Sequence, residues 1–401
     1  MKPGWQKKEL QEVCEKITDG THQTPKYFEN GILFLSSRNV TSEKIDWENV
    51  KFIDELQHCE MQKRVSPKRG DILLAKNGTT GVGAMVDRDV EFDIYVSLAL
   101  LRPLEMIYPR YLLHFVNSPI AREQFNKRLK GVGVPNLHLK EIREVQISYP
   151  SFSEQKRIVA ILDEAFAGIA TAKANAEKNL QNARALFESH LAQTFSAIDK
   201  NWKKETLGAV CAIGDGNYSS KYPKANEFLK DGIPFITATN LKNGTIDSEE
   251  MRYISPILHK SLLKGHVKNG DLIVVVRGSN TGKSSIVPDK FDGANLNSQL
   301  AFLRPNSLIA NKFLFYSFNS PIVQANVRKK ISGSAQPQLP NNQLLGIQIS
   351  YPPLIDQQTV VAQLDILQNQ TIQLELIYQQ KLAALDELKK SLLHQAFSGE
   401  L

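Results

Sequence analysis

Lys283 stands in the stretch DLIVVVRGSNTGKSS (Asp271 to Ser285), where an apolar run leads into Gly278, Gly282, Lys283 and Ser284. A lysine and a hydroxyl directly behind a glycine loop are the groups that hold nucleotide phosphates. The spacing argues against that chemistry. A phosphate loop, G-x-x-x-x-G-K-[ST], keeps four residues between its glycines so that successive amides can wrap the anion before a helix starts. Here only Ser279 to Thr281 separate Gly278 from Gly282, and Arg277 stands where the first glycine should be. Nucleotide hydrolysis is therefore not expected. Other catalytic sets are also missing: there is no N-P-P-[FY] or D-P-P-Y segment for adenine methylation, since YPPL at Tyr351 lacks the amide donor, and no glycine fingerprint for S-adenosylmethionine or carboxylate-lysine nuclease core. His58 beside Cys59 reads as a surface accident and not as a ligand pair, so no metal is expected. Cys14, Cys59 and Cys211 have no C-x-x-C spacing and read as reduced, buried thiols. The chain is not expected to be an enzyme alone; chemistry must come from partners.

The 401 residues suffice for two or three domains with proper cores. The opening MKPGWQKKEL is too polar for a signal peptide, and no run approaches the ~18 apolar residues of a membrane span. A soluble cytoplasmic protein is expected, without a membrane partner. The formal charge of +7 is modest for the size, but its distribution is uneven. Met1 to Pro150 carries 22 basic and 20 acidic residues, Ser151 to Asp199 5 and 6, Lys200 to Pro353 19 and 10, and Leu354 to Leu401 3 and 6. An anionic partner would thus be held by the front segments, above all the second.

These residues sit in a chain that says nearly everything twice. KPGWQKKELQEVC is echoed by DKNWKKETLGAVC, with Trp5 and Trp202 197 apart; RGDILLAKNG by NGDLIVVVRG, 200 apart; NSPIAREQF by NSPIVQANV and VQISYP by IQISYP, 202 apart. With Gly81 set opposite Gly282, Val82 stands opposite Lys283, so the phosphate lysine has no counterpart. Each copy has a front of short apolar runs such as GILFLSS, DILLA, GIPFITA and DLIVVV between Gly, Asn and Pro turns, which predicts a mixed α and β domain. Each back is helical. From Glu154 to Phe195 apolar or alanine positions recur every three or four residues from Ile158 to Leu191, with Ser151 and Glu154 at capping-box spacing, and a similar stripe runs from Asp356 to Phe397. Each 42-residue segment would be ~63 Å long. An antiparallel pair of helices is preferred over helices packed only on their own domains, because the stripes outrun one domain's width and the alanines of the first admit the leucines of the second.

A repeated unit of about 200 residues, with YPSFSEQKRIVAILD and YPPLIDQQTVVAQLD each leading into a long helix, resembles the specificity subunit of type I restriction-modification systems. TDGTHQTPKY, GDILLAKNG, GDLIVVVRG and the closing SLLHQAFSGEL add to the likeness, which spans the full length. The resemblance implies an α+β chain with target recognition domains at 1–150 and 200–353, separated by two long antiparallel coiled-coil helices at 151–199 and 354–401, pseudo-two-fold symmetric. It implies double-stranded DNA as ligand, one domain per half-site, and methyltransferase and restriction (translocase) subunits as partners, the former carrying S-adenosylmethionine. A body of two similar modules joined by rigid helices can meet the major groove at places about a turn, ~34 Å, apart.

On that reading the glycine loops are the leading candidates for DNA contact: Lys76, Asn77, Thr79 and Thr80 in the first copy, and Arg277, Ser279, Asn280 and Lys283 in the second. Arginine pairs bidentately with guanine and asparagine with adenine. Lys127, Arg128, Lys130, Arg328, Lys329 and Lys330, each cluster lying before a glycine loop, are candidates for backbone phosphates, with solvated helix ends as the alternative. Asp19-Gly20 and Asp215-Gly216 begin alike and then diverge through Thr21, His22, Asn217, Tyr218 and Ser219, as two unlike half-sites would require. Arg38, with Asn39 and Asn240 at the ends of SSRN and TATN, completes the set, although asparagine after a strand more often makes a turn. The rival function is a coiled-coil interaction scaffold without a DNA role, which predicts binding indifferent to salt.

Overall fold

The computed structural model describes residues 3–130, 135–196, 201–216, 222–242 and 244–401. The chain forms two compact units, Met1–Glu177 with Gln380–Leu401, and Lys178–Gln379.

In the first unit an antiparallel four-stranded sheet has the spatial order Cys14–Asp19, Leu98–Pro103, Ile72–Ala75, Gly83–Met85. All four residues of Ile72–Ala75 are buried, which is why this strand reads as an unbroken apolar run. Successive side chains still point to opposite faces: Ile72 and Leu74 join Tyr111, Phe115 and Ile158 in one core, while Leu73 and Ala75 join Leu35, Phe92 and Ile94 in another. A second sheet places Ile32–Leu35 antiparallel to Lys51–Ile53 and parallel to Phe92–Ile94. Gln6–Glu9 pairs with Gln146–Tyr149, so the KPGWQKKE and VQISYP stretches tie the two ends of the front together.

The second unit repeats this plan. Its four-stranded sheet runs Cys211–Asp215, Leu300–Pro305, Leu272–Val275, Ser284–Ile286. Ile233–Ile236 lies between Arg252–Ile254 and Asn295–Leu296, and Lys203–Thr206 pairs with Gln348–Tyr351. The echoed motifs do the same jobs in both copies. The aspartate of the GD step is buried and held bidentately by an arginine on the neighbouring strand of the sheet: Arg102 donates to Asp71 at 2.8 and 2.7 Å, and Arg304 to Asp271 at 2.8 and 2.7 Å. In NSPI, Ser118 and Ser320 cap the next helix, with proline in its first turn. The glycines of the two Asp-Gly steps sit where a Cβ would fall 1.8 Å from the Ile94 carbonyl oxygen and 1.7 Å from that of Asn297, so only glycine lets these segments pass.

The long helices run Phe152–Ser196 and Leu354–Ser398, 45 residues each, or ~67 Å. They begin two residues earlier and end one later than the apolar stripes, because caps and not core residues set helix ends. Buried positions recur every seven residues at Leu162, Ile169, Ala176 and Ala183, and at Gln357, Leu364 and Thr371, the period of a coiled coil. In the first unit Arg157 donates to the Leu401 carbonyl at 3.2 Å, Lys389 lies over the Phe166 ring and Lys173 pairs with Asp386, so the two helix segments there are antiparallel. In the second unit Arg184 meets Glu375 at 2.9 Å and Leu191 shares a core with Leu364, again antiparallel. Helices packed on their own front and helices packed on each other prove compatible: Ile158 and Leu162 enter the first unit's core beside Leu393 and Phe397.

Two expectations need correction. Cys14 and Cys211 are buried, and burial pushes both thiols up to about 12, but Cys59 is exposed. Its helix, Glu55–Gln62, has no buried residue, so this thiol faces solvent. His58 is not a surface accident: its Nδ1 lies 2.7 Å from Asp93, whose carboxyl is pushed up by burial against the opposing pull of that histidine. Among the described residues no helix is long and apolar enough to cross a membrane, and no His, Cys, Asp and Glu group is set to hold a metal.

Candidate nucleic-acid interface

The glycine loop of the first unit joins Ile72–Ala75 to Gly83–Met85 and is closed by Ala75 N–H donating to Val82 O at 2.8 Å and Gly81 N–H to Ala75 O at 2.9 Å. In the second unit Val275 donates to Lys283 O and Gly282 to Val275 O, both at 2.8 Å. Both loops run from strand to strand. Lys283 therefore precedes the strand Ser284–Ile286 and not a helix, and the helix N-terminus that a nucleotide phosphate would need is lacking there.

The structure brings the second sequence candidate, the segment after the basic cluster, against this loop in each unit. Lys130 and Asn136 exchange backbone hydrogen bonds of 3.0 and 2.9 Å, Asn77 bridges to Asn136, and Leu137 N–H donates to Lys76 O at 3.0 Å. In the second unit Ser332 and Gln338 exchange bonds of 2.9 and 2.8 Å, Arg277 bridges to Gln338, and Leu339 donates to Val276 O at 2.9 Å. Asn136 and Gln338 were missed by sequence reasoning; the signal was their place directly after Pro135 and Pro337, which stand 202 apart like the NSPI and QISYP echoes.

The third candidate stretch joins the same place. Ser97 is the hub: its carbonyl accepts from Lys76 N–H at 2.8 Å and its hydroxyl from Ser37 N–H at 3.0 Å, while Thr21 pairs with Tyr95. His22 is exposed, and Arg38 is exposed on its short turn. A cleft of about 420 Å³ is lined by Asp19, His22, Lys76, Asn77, Asn136 and His138. The second unit has a counterpart of about 260 Å³ among Asp215, Arg277, Ser298, Gln338 and Asn341. Asn217 and Tyr218 lie outside the described residues, as does Ser219.

Several candidates are occupied by the fold itself. Lys76 is 6% exposed, and its ammonium donates to Asp19 at 2.6 Å. Burial pushes the Asp19 carboxyl up, but hydrogen bonds from Lys76, Arg64 and His22 outweigh it and hold it below the usual carboxylate range. Asp19 was noted in the sequence only as the start of a matched stretch and Arg64 not at all, since nothing local announces a pair 45 residues apart. Asn39 and Asn240 are buried turn residues: each side-chain oxygen accepts from a backbone N–H three residues back, Ser36 at 2.9 Å and Thr237 at 3.0 Å. They are spent on the turn, the commoner of the two roles weighed for them.

The remaining candidates reach solvent. Thr79, Ser279, Arg277 and Lys283 are exposed, with Thr80 and Asn280 half-buried. The basic clusters differ between units. Lys127 pairs with Glu123 at 2.5 Å and Lys130 with Glu141 at 2.6 Å, and Arg128 donates to the Gln124 carbonyl at 3.1 Å. Arg328, Lys329 and Lys330 are exposed on the last turn of Pro321–Lys330 and carry no ion pair among the described residues. Lys127 and Lys283 line clefts other than those of the loop cluster, beside Lys389 and Lys242 respectively.

Two tandem α+β domains, each with clustered polar loops and joined by long helices, define a class of DNA-reading scaffold. The profile of the type I restriction modification DNA specificity domain matches residues 2–181 and 199–384, and the chain belongs to that family. It is a DNA specificity subunit of a type I restriction-modification system, the non-catalytic component of an enzyme complex. The chain is similar to the StySPI specificity subunit of Salmonella potsdam, 24% identical with 99% of this chain and 89% of the relative covered. It is also similar to the EcoKI specificity subunit of Escherichia coli K12, 22% identical over 96% and 86%. A chain solved in work on complex assembly and conformational transition of the type I R-M system shares the fold at TM-score 0.78 and 20% identity, covering 100% of this chain and 99% of that one. The HsdS subunit of Thermoanaerobacter tengcongensis does so at TM-score 0.60 and 21% identity, covering 100% and 98%.

Proposed function

We propose that residues 1–150 and 200–353 each read one half of a split site in double-stranded DNA, while the helices at 151–199 and 354–401 carry methyltransferase subunits and, with them, restriction subunits. S-adenosylmethionine is then a cofactor of the partner. The observation that carries this reading is a matched pair of loop clusters: the same backbone hydrogen bonds in both units, with different side chains on them. Two unlike half-sites call for that combination of constant frame and variable surface. The helices favour a protein partner over phosphate. Their blocks carry −1 and −3 from 5 and 6, and 3 and 6, basic and acidic residues. The C-terminal helix exposes Ile355, Ile366 and Ile377 by 69%, 60% and 54%, spaced eleven residues or about three turns apart, so they form one apolar row.

The test is a mobility shift with the methyltransferase subunit present and a library of duplexes. Selection of a bipartite site, and a change in one half only when 1–150 is exchanged for another such domain, is the expected result; absence of any bipartite preference rejects the reading. Binding should also weaken with salt. Replacing Arg328, Lys329 and Lys330 by alanine should flatten the slope of log affinity against log salt by about 2 to 3, whereas Lys127 and Lys130, already paired with glutamates, should change it less. A scaffold without a DNA role shows no such slope.

A further inference from the structure

We infer that residues 77 and 136 in the first unit, and 277 and 338 in the second, act as the base-reading pair that sets each half-site's sequence. The inference rests on the half-site reading above and assigns it to particular side chains.

Asn77 with Asn136, and Arg277 with Gln338, are bridge partners on antiparallel backbone segments. Bridge partners stand side by side on one face, with Cβ atoms about 4.5–5.5 Å apart. The backbone pairing around the pair is held constant between copies. The bonds between Lys130 and Asn136 and between Ser332 and Gln338 agree to 0.1 Å, at 3.0 and 2.9 Å against 2.9 and 2.8 Å. Leu137 and Leu339, which follow the pair, are both buried and both bond back to the glycine loop. On this frame the two paired side chains change together, from two asparagines to an arginine and a glutamine. A residue kept for packing would retain its type. Lys127 and Lys283, by contrast, line other clefts.

The chemistry of the two pairs points to different bases. In the first unit the Oδ1 atoms of Asn77 and Asn136 are buried and meet no donor among the described residues, although both side chains line the 420 Å³ cleft. Unpaired amide oxygens are costly unless a ligand brings the donor. An adenine can do so once the side chains turn from this buried pose into the cleft: its N6 amino group donates to the amide oxygen while its N7 accepts from the amide nitrogen. In the second unit Arg277 has the fork that matches guanine N7 and O6, and Gln338 beside it suits adenine. The first half-site should therefore require adenine at the position the pair meets, and the second guanine with adenine next to it.

The experiment transplants one pair onto the other frame. The full chain carrying Asn77→Arg and Asn136→Gln is assembled with the methyltransferase subunit and S-adenosylmethionine, and methylated sites are mapped in a random duplex library beside wild type. One or two bases of one half-site should change, with at least tenfold loss of preference for the original base, while the other half-site and the gap stay as they were. A folded variant that methylates the original site with unchanged preference overturns the inference while leaving the half-site reading intact. Should the double variant fail to fold, Gln338→Arg on the exposed rim of the second unit decides the matter by the same readout: guanine in place of adenine at one position of the other half-site supports the pair, an unchanged site rejects it. A wild-type complex with no bipartite preference rejects the half-site reading, and this inference with it.

Discussion

Asp19 is 2% exposed and binds Lys76, Arg64 and His22, whereas its counterpart Asp215 bonds Asn341 and lies 3.6 Å from Lys264. Lys76 therefore completes a local charge balance that the second copy meets differently, with Val276 in its place. Removing one partner of a buried pair strands the other, so Lys76→Ala should destabilise the first unit by about 3 kcal/mol in urea unfolding, while Lys76→Met combined with Asp19→Asn should cost much less. The pH dependence follows from the same contact. Because the folded carboxyl is held below its unfolded value, the stabilisation is complete above pH ~4 and is lost as pH falls through the lower folded value. Asp19→Asn should flatten that acid limb, and an unchanged limb would show that the pair contributes nothing. Sequence alone could not distinguish Lys76 from an exposed DNA ligand, nor Asn39 from a base reader, because residue type and loop position are the same whether a side chain turns inward or outward.

At the scale of elements, the start of each long helix is fastened to its front by a glutamine. Gln155 is fully buried; its Oε1 accepts from Tyr108 N–H at 2.8 Å, and its Nε2 donates to Met106 O and Pro150 O, both at 3.0 Å. Gln357 repeats the arrangement with Ala310, Leu308 and Pro352 at 2.8, 2.9 and 2.8 Å. Gln155→Ala leaves three buried backbone groups without partners and should cost about 3 kcal/mol or more, whereas the neighbouring exposed Lys156→Ala should cost less than 0.5 kcal/mol, both read by thermal unfolding. A loss below 1 kcal/mol for Gln155→Ala would show that water replaces the clamp. The helices themselves were legible in the sequence, since an apolar stripe at three- and four-residue steps has one good explanation over 42 residues. The glutamines were visible as SEQ and IDQ but silent, because their partners are backbone atoms that leave no mark in the residues they belong to. The strands Ile72–Ala75 and Leu272–Val275 were legible as apolar runs; the docking of Asn136 and Gln338 on the glycine loops was not, as that pairing is non-local and carried by main chain.

At the scale of the whole molecule the duplication was readable from the echoed motifs, but the division into compact units was not. The fronts and helices separate cleanly along the sequence, yet the first unit takes in Gln380–Leu401. Phe397 packs edge-on against Tyr111 and Phe115 at 5.0 and 5.4 Å between ring centres, with Leu393 and Ala396 in the same core. Phe397→Ala should therefore destabilise the first unit by about 3–5 kcal/mol and leave the second unit's unfolding in place, a difference that hydrogen exchange can localise. Equal loss of protection in both units would contradict it.

That same interleaving has a bearing on biogenesis. Translation delivers the opening strands of the first unit early, but the aromatic ring that fills its interior is made only after the whole of the second unit. The second unit, contiguous from Lys178 to Gln379, has all its parts in hand sooner. The unit begun first is thus the one obliged to wait, and a nascent chain must shelter its unfinished hydrophobic surface until synthesis has passed the second unit.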